Sequence, residues 1–342
     1  MTAALDATYS VGRNLSGVGV YSRELSLQLA QAHPDCRFLH CFRPHKFLRG
    51  IGLDRPANAS ARLLLDAWPI RAGVLHGLNQ RMPEWRARRA VSTFHDLFVL
   101  TSDYSTPDFK ARFAAQARHA AERSDLIICV SRHTASMVAG LLNVEDSRLR
   151  VVPHGVRFGA SAAGARRENV VLHVGAIQKR KNLVRLVEAF ETACAPDWKL
   201  VLAGSEGFGS EEVKARIEAS PARGRIELTG WVSDEMALDL YRRASIFAFP
   251  SLDEGFGIPV LEAMAQGVPV IASNRSSLPE VCGGAALLVD ALETESIAAA
   301  LKQLAEDAAL RTELVERGCE RAKGFTWERA AALTWDVYQE LA

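Results

Sequence analysis

The apolar residues in the second half of the chain follow two alternating rhythms. "NVVLHVGA" (169–176), "KLVLAG" (199–204), "IFAFP" (246–250) and "VPVIA" (268–272) are short, nearly continuous apolar runs. Strands buried on both faces read this way. "RIELTG" (225–230) and "AALLV" (285–289) add two more. Between the runs the period changes. In "KNLVRLVEAFETAC", Leu183, Leu186, Val187, Phe190 and Cys194 recur at helical spacing, with Asn182 where an N-cap belongs. Residues 210–219 read as a further helix, and "SDEMALDLYRRAS" opens on Ser233 with Asp234 and Glu235 in the first turn, where a helix dipole favours acids. Strand and helix alternate throughout, which predicts a doubly wound parallel sheet covered on both faces.

The first half repeats the rhythm less cleanly. "AALDA" (3–7), "RFLHCF" (37–42), "RLLLDA" (62–67), "GVLHG" (73–77), "AVSTF" (90–94) and "DLIICV" (125–130) supply strands. A glycine turn, "SGVGV", opens a helix at "YSRELSLQLA". The small and charged residues of "RFGASAAGARREN" (157–169) form the best linker, so the domain boundary is placed near residue 158. A length of 342 residues suits two such domains.

Composition narrows the class. With 48% hydrophobic and 24% charged residues, the chain has enough apolar material for large cores. A net charge of +1 gives no reason to expect nucleic acid, so any anion recognition must be local. The start carries no basic-then-apolar leader, and no uncharged apolar run approaches the roughly 18 residues of a membrane span. The expectation is a cytoplasmic protein. Basic stretches such as "QRMPEWRARR" and "DFKARFAAQARHAAER" are read first as solvated faces and second as a peripheral contact with the inner membrane face. Six cysteines without a C-x-x-C pair read as free thiols. His40 and Cys41 would point to opposite faces of one strand, which argues against a metal site there.

The chemistry concentrates in "SLDEGFGIPVLEAM" (251–264). It follows a strand and opens a helix, and ligands of open α/β sheets bind at such strand ends. Pro259 suits a first helical turn, and the amides beyond it, Val260 included, would offer an anion site. Glu254 and Glu262 would bracket that anion, each able to accept the two hydroxyls of a diol. Gly255 and Gly257 would let the backbone come close. A phosphate between two polyols outlines a sugar nucleotide.

These residues also carry a resemblance. "EGFGIPVLE" is similar to the E-x7-E motif of retaining GT-B glycosyltransferases of the family-4, or group 1, type. "VGAIQKRKNLVRLVEAF", "STFHD", "CVSRHTASM", "VVPHGV" and "SGVGVYSREL" extend the likeness over most of the chain. The resemblance implies two Rossmann-like domains facing across a cleft: residues 1–158 for the acceptor, 159–324 for the nucleotide sugar, and a helix at 325–342 crossing back to the first domain. It also implies that Glu254 meets the donor sugar's hydroxyls and Glu262 its ribose. The amides of Gly255, Phe256 and Gly257 would meet the hexose, and Val232 would lie beside the base. Lys181 matches the lysine that neutralises the diphosphate. The arginine many members carry after "VG" is replaced by Ala176, which leaves Arg180 as a candidate second cation. His95 matches the family's "HD" and would touch the donor sugar or orient the acceptor. Gly17 and Gly19 match an N-terminal loop facing the diphosphate.

The implied reaction moves a hexose from a nucleotide sugar to a hydroxyl of a saccharide or lipid-linked saccharide, with retained configuration. GDP-mannose is the favoured donor and a UDP-sugar the alternative. No cofactor is implied, and the chain has no Asp-x-Asp pair for a metal. Two other readings stay open here: a glycoside hydrolase or phosphorylase using the two acids, and a non-catalytic nucleotide-sugar sensor.

Overall fold

The structure, a computed structural model, describes residues 1–12, 14–159 and 167–341. Much of the expected linker, residues 160–166, lies outside the described residues. The chain divides into two compact units. One comprises Met1–Ser102, Thr106–Gly155 and Thr326–Ala342; the other comprises Asp103–Ser105 and Val156–Phe325.

The first unit is built on seven parallel strands: β1 (Thr2–Asp6), β2 (Arg37–Phe42), β3 (Ala59–Leu63), β4 (Val74–Gly77), β5 (Ala90–Phe94), β6 (Leu126–Cys129) and β7 (Leu149–Val151). Their order is β3-β2-β1-β4-β5-β6-β7. Successive side chains alternate between two cores. Ala3 and Leu5 of β1 pack with Leu25 and Leu29 of the helix Gly17–Ala32, whereas Ala4 packs with Phe94, Ala117 and Ile127 on the other face. The second unit repeats the plan with β8 (Glu168–Val174), β9 (Lys199–Ala203), β10 (Ile226–Gly230), β11 (Ala244–Phe249), β12 (Val270–Ser273) and β13 (Leu287–Val289). Its order is β10-β9-β8-β11-β12-β13, again all parallel. Both sheets reverse direction of growth once, at β1/β4 and at β8/β11. Those reversals are where open sheets leave a crevice for ligands.

Several local expectations change. The third strand ends at Leu63, because residues 65–68 fold back in a tight turn joined by a Leu65–Trp68 bridge. Strand β7 has only three residues at the sheet edge, too few to show as a pattern. Gly17 and Gly19 are not in a loop before the helix. They form its first turn, because Ser16 caps it by accepting from the Gly19 amide at 3.3 Å. Asn182 stands at a helix start without capping it. It adopts a left-handed conformation, φ 59°, and its side-chain amide donates to the carbonyls of Pro250 (3.1 Å) and Ala291 (2.6 Å).

The terminal helix, Trp327–Gln339, belongs to the first unit. Ala330, Ala331 and Val337 join the core beside the helix Gly17–Ala32, and the Tyr338 hydroxyl lies 2.6 Å from His76 Nδ1. Among the described residues, no helix is long and apolar enough to cross a membrane.

Candidate active site

Two loops at the reversal point of the second sheet carry most of the expected site. The loop after β8 ends in the tight turn Lys179–Lys181, and the loop after β11 leads into the helix Ile258–Ala265. They are tied together by backbone: the Leu252 amide donates to the Arg180 carbonyl at 2.8 Å. Asn182 adds its bond to Pro250. Three side chains therefore converge. Glu254 Oε1 accepts from Lys181 Nζ at 2.5 Å and pairs with Arg180 Nη1 at 2.8 Å. Arg180 also donates to the Asp253 carbonyl. All three side chains are buried, Glu254 at 7% exposure.

The electrostatics follow from that packing. Burial alone would raise the Glu254 carboxyl, but Arg180 and Lys181 outweigh it and hold the group down to about 2. A carboxyl lowered by folding contributes stability that is complete above the ordinary range, near 4.5, and is lost as pH falls towards 2. We expect wild type and Glu254→Gln to differ in unfolding free energy by a constant amount above pH 5. The two curves should converge as pH falls from about 4.5 to 2. Chemical denaturation across that window checks it, and parallel curves would contradict the assignment.

Glu262 is fully buried one turn into the helix. Arg157 donates to both of its oxygens, Nε to Oε1 at 2.6 Å and Nη2 to Oε2 at 3.1 Å. The Tyr241 hydroxyl adds a bond to Oε2 at 3.1 Å, and Arg157 also reaches Asp234 at 2.6 Å. Each expected acid thus has its own cations.

The amide of Val260 is not free for an anion. It donates to the Gly257 carbonyl at 3.0 Å, because the chain tightens into a turn immediately before the helix. Gly257 makes that turn with φ 106°, and a side chain there would also press on Leu278 at 2.7 Å. Gly255 and Phe256 are buried in the same loop. Val232 is half-buried two positions beyond β10.

Ser276 and Ser277 fix this loop from outside it. The Glu254 amide donates to Ser276 Oγ at 2.9 Å, and Ser277 Oγ donates to the carbonyls of Glu254 (2.8 Å) and Phe256 (3.0 Å). Sequence reasoning missed these serines, along with Arg157 and Tyr241. Each lies at least 21 positions from the group it binds, and Arg157 opens the stretch read as linker.

His95, Gly17 and Gly19 lie in the first unit. His95 follows β5 and is buried, with Nε2 2.9 Å from the Leu78 carbonyl. Since a carbonyl only accepts, Nε2 carries the proton and Nδ1 is the acceptor nitrogen. Burial lowers its pKa to about 4, outweighing the opposing effect of that bond, so the ring is neutral near pH 7. It stacks on His154 at 5.3 Å and meets the Tyr21 ring edge-on at 4.7 Å. Gly19 is obligatory: a Cβ would stand 2.8 Å from the Tyr9 carbonyl oxygen, whereas Gly17 has open space.

Two Rossmann-like sheets, each with one reversal point, are the architecture of GT-B glycosyltransferases. Residues 15–158 match the family model described as Glycosyltransferase Family 4, and residues 161–321 match Glycosyl transferases group 1. The chain belongs to this family and is a glycosyltransferase. It is 30% identical to O-antigen chain mannosyltransferase B of Escherichia coli, over 98% of this chain and 99% of that protein. Its fold is similar to sucrose-phosphate synthase of Thermosynechococcus elongatus, with TM-score 0.82 at 20% identity over 100% of this chain and 99% of that one. It is also similar to Anabaena Alr3699/HepE, solved in complex with UDP and glucose, with TM-score 0.73 at 17% identity over 99% and 98% of the two chains.

Proposed function

We propose that the protein transfers mannose from GDP-mannose to a hydroxyl of a growing saccharide or lipid-linked saccharide, with retention and without a metal ion. The reading places this work in the cytoplasm or at the inner face of the membrane. The observation that carries it is the Glu254–Arg180–Lys181 cluster at the β8/β11 reversal. Whole-length similarity to a mannosyltransferase supports the choice of sugar.

In this reading Lys181 and Arg180 turn to the donor diphosphate, and their charge stabilises the leaving nucleotide. Glu254, released, accepts the hexose hydroxyls. The bond from the anomeric carbon to phosphate oxygen breaks, the bond to the acceptor oxygen forms on the same face, and the acceptor's proton passes to the leaving phosphate. The hydrolase reading, by contrast, gives Arg180 and Lys181 no part beyond holding the resting carboxylate.

Titration with GDP and UDP, followed by turnover of GDP-mannose with and without EDTA, tests the proposal. The anomeric configuration of the product is read by NMR. Tight GDP binding with neither transfer nor slow donor hydrolysis would leave a sensor rather than an enzyme. Lys181→Ala is expected to weaken nucleoside diphosphate binding by about tenfold or more, the scale of a lost charged hydrogen bond. It should lower turnover as well. Unchanged affinity would move the diphosphate elsewhere.

A further inference from the structure

His173 lies in β8 and is completely buried. Its Nδ1 is 3.0 Å from the Ala248 carbonyl, which can only accept, so Nδ1 carries the proton and Nε2 holds the lone pair. Nε2 is shut off from solvent and, among the described residues, has no hydrogen-bond partner. A buried acceptor left unpaired is costly, and such an atom calls for an explanation.

The surroundings supply one. His173 stacks on Phe249 with ring centroids 5.3 Å apart, and Lys181 Nζ stands 4.5 Å from the same ring's centroid. A Cβ placed on Gly175 would be 3.3 Å from His173 Nε2, 3.5 Å from Lys181 Cε and 3.7 Å from Lys181 Nζ. The lone pair and the ammonium therefore border one small space, which is open because residue 175 is a glycine.

We propose that His173 is a positioning residue for Lys181: Nε2 accepts one N–H of the ammonium when a donor separates Lys181 from Glu254, and so aims the other N–H groups at the diphosphate. The inference rests on the reading of Lys181 as the diphosphate cation. A neutral imidazole suits the task for a physical reason. A carboxylate would orient the ammonium but cancel its charge, whereas imidazole orients it and leaves the full charge for the leaving nucleotide. Burial first, and then the charge of Lys181, keep the ring unprotonated, with a pKa lowered to about 3.

Two substitutions separate this role from a structural one. His173→Asn retains a donor for the Ala248 carbonyl and removes the acceptor at Nε2. His173→Gln retains an acceptor near Nε2 and loses the donor. Calorimetric titration with GDP, and with UDP in parallel, is combined with thermal unfolding of each variant. We expect His173→Asn to unfold as wild type does and to bind the preferred nucleotide about tenfold more weakly, with a matching fall in kcat. His173→Gln should unfold at a lower temperature yet bind within about threefold of wild type. Wild-type affinity in His173→Asn overturns the proposal, as does an equal loss in both variants. If Lys181→Ala itself leaves affinity unchanged, the underlying reading of Lys181 fails instead.

Discussion

Glu254→Ala is expected to abolish transfer and to destabilise the protein at the same time. On the proposed reading Glu254 accepts the hexose hydroxyls, and losing hydrogen bonds to a charged group, about 1.5–3 kcal/mol each, lowers turnover by about 100-fold or more. From the sequence alone, a loop acid could be removed with the fold left intact. The structure changes that expectation. Glu254 is the counter-ion of two buried cations, Arg180 and Lys181, each less than a tenth exposed. Removing one partner from a buried ion cluster leaves uncompensated charge and costs about 3–5 kcal/mol. In a domain of this size that lowers Tm by roughly 10 °C. The double variant Glu254→Gln/Lys181→Met removes one of the stranded cations and should recover part of the stability with none of the activity. A single Glu254→Ala variant with wild-type Tm would show that the cluster does not exist in solution.

Gly204→Ala is expected to have the largest effect on the fold. Gly204 directly follows β9, and its amide donates to the Gly230 carbonyl at 2.9 Å. A Cβ there would stand 1.9 Å from the Gly175 carbonyl oxygen. Both partners are backbone at the ends of adjacent strands, so no side chain can swing aside. Overpacking of a core costs about 1–3 kcal/mol, occasionally more, and a backbone clash of this depth belongs at the upper end. Relief requires the Gly175 loop to move, and that loop leads to Lys181. The variant should therefore lose about 3 kcal/mol in denaturant unfolding and bind GDP more weakly. Unfolding at the wild-type midpoint would contradict the close approach of these strands.

The fold was legible because its strands are buried on two faces. "NVVLHVGA" and "KLVLAG" are continuous apolar runs that only a covered parallel sheet accommodates. Edge elements were not: β7 has three residues and one neighbour, which leaves no pattern to read. Glu254 and Glu262 were legible as a spaced pair beside glycines and a proline. Their partners were not, because a pairing such as Arg157 with Glu262 joins positions 105 apart and leaves no local trace. The Val260 amide illustrates the opposite error. Helix-start rules count it as free, whereas the turn made by Gly257 consumes it. His173 was hidden for a further reason: within an apolar strand it reads as one more core residue.

The pairing of Glu254 with two cations bears on which anions the proposed donor site would refuse. A carboxylate tethered against Arg180 and Lys181 is a resident competitor at high effective concentration. Inorganic phosphate or sulfate could satisfy the two cations but would leave Glu254 stranded, so simple anions gain little by entering. On the proposed reading, a molecule that brings a diphosphate and a ring of hydroxyls together satisfies both sides of the exchange in one event. Discrimination against the salts of the surrounding solution would then be built into the resting protein, before any substrate arrives.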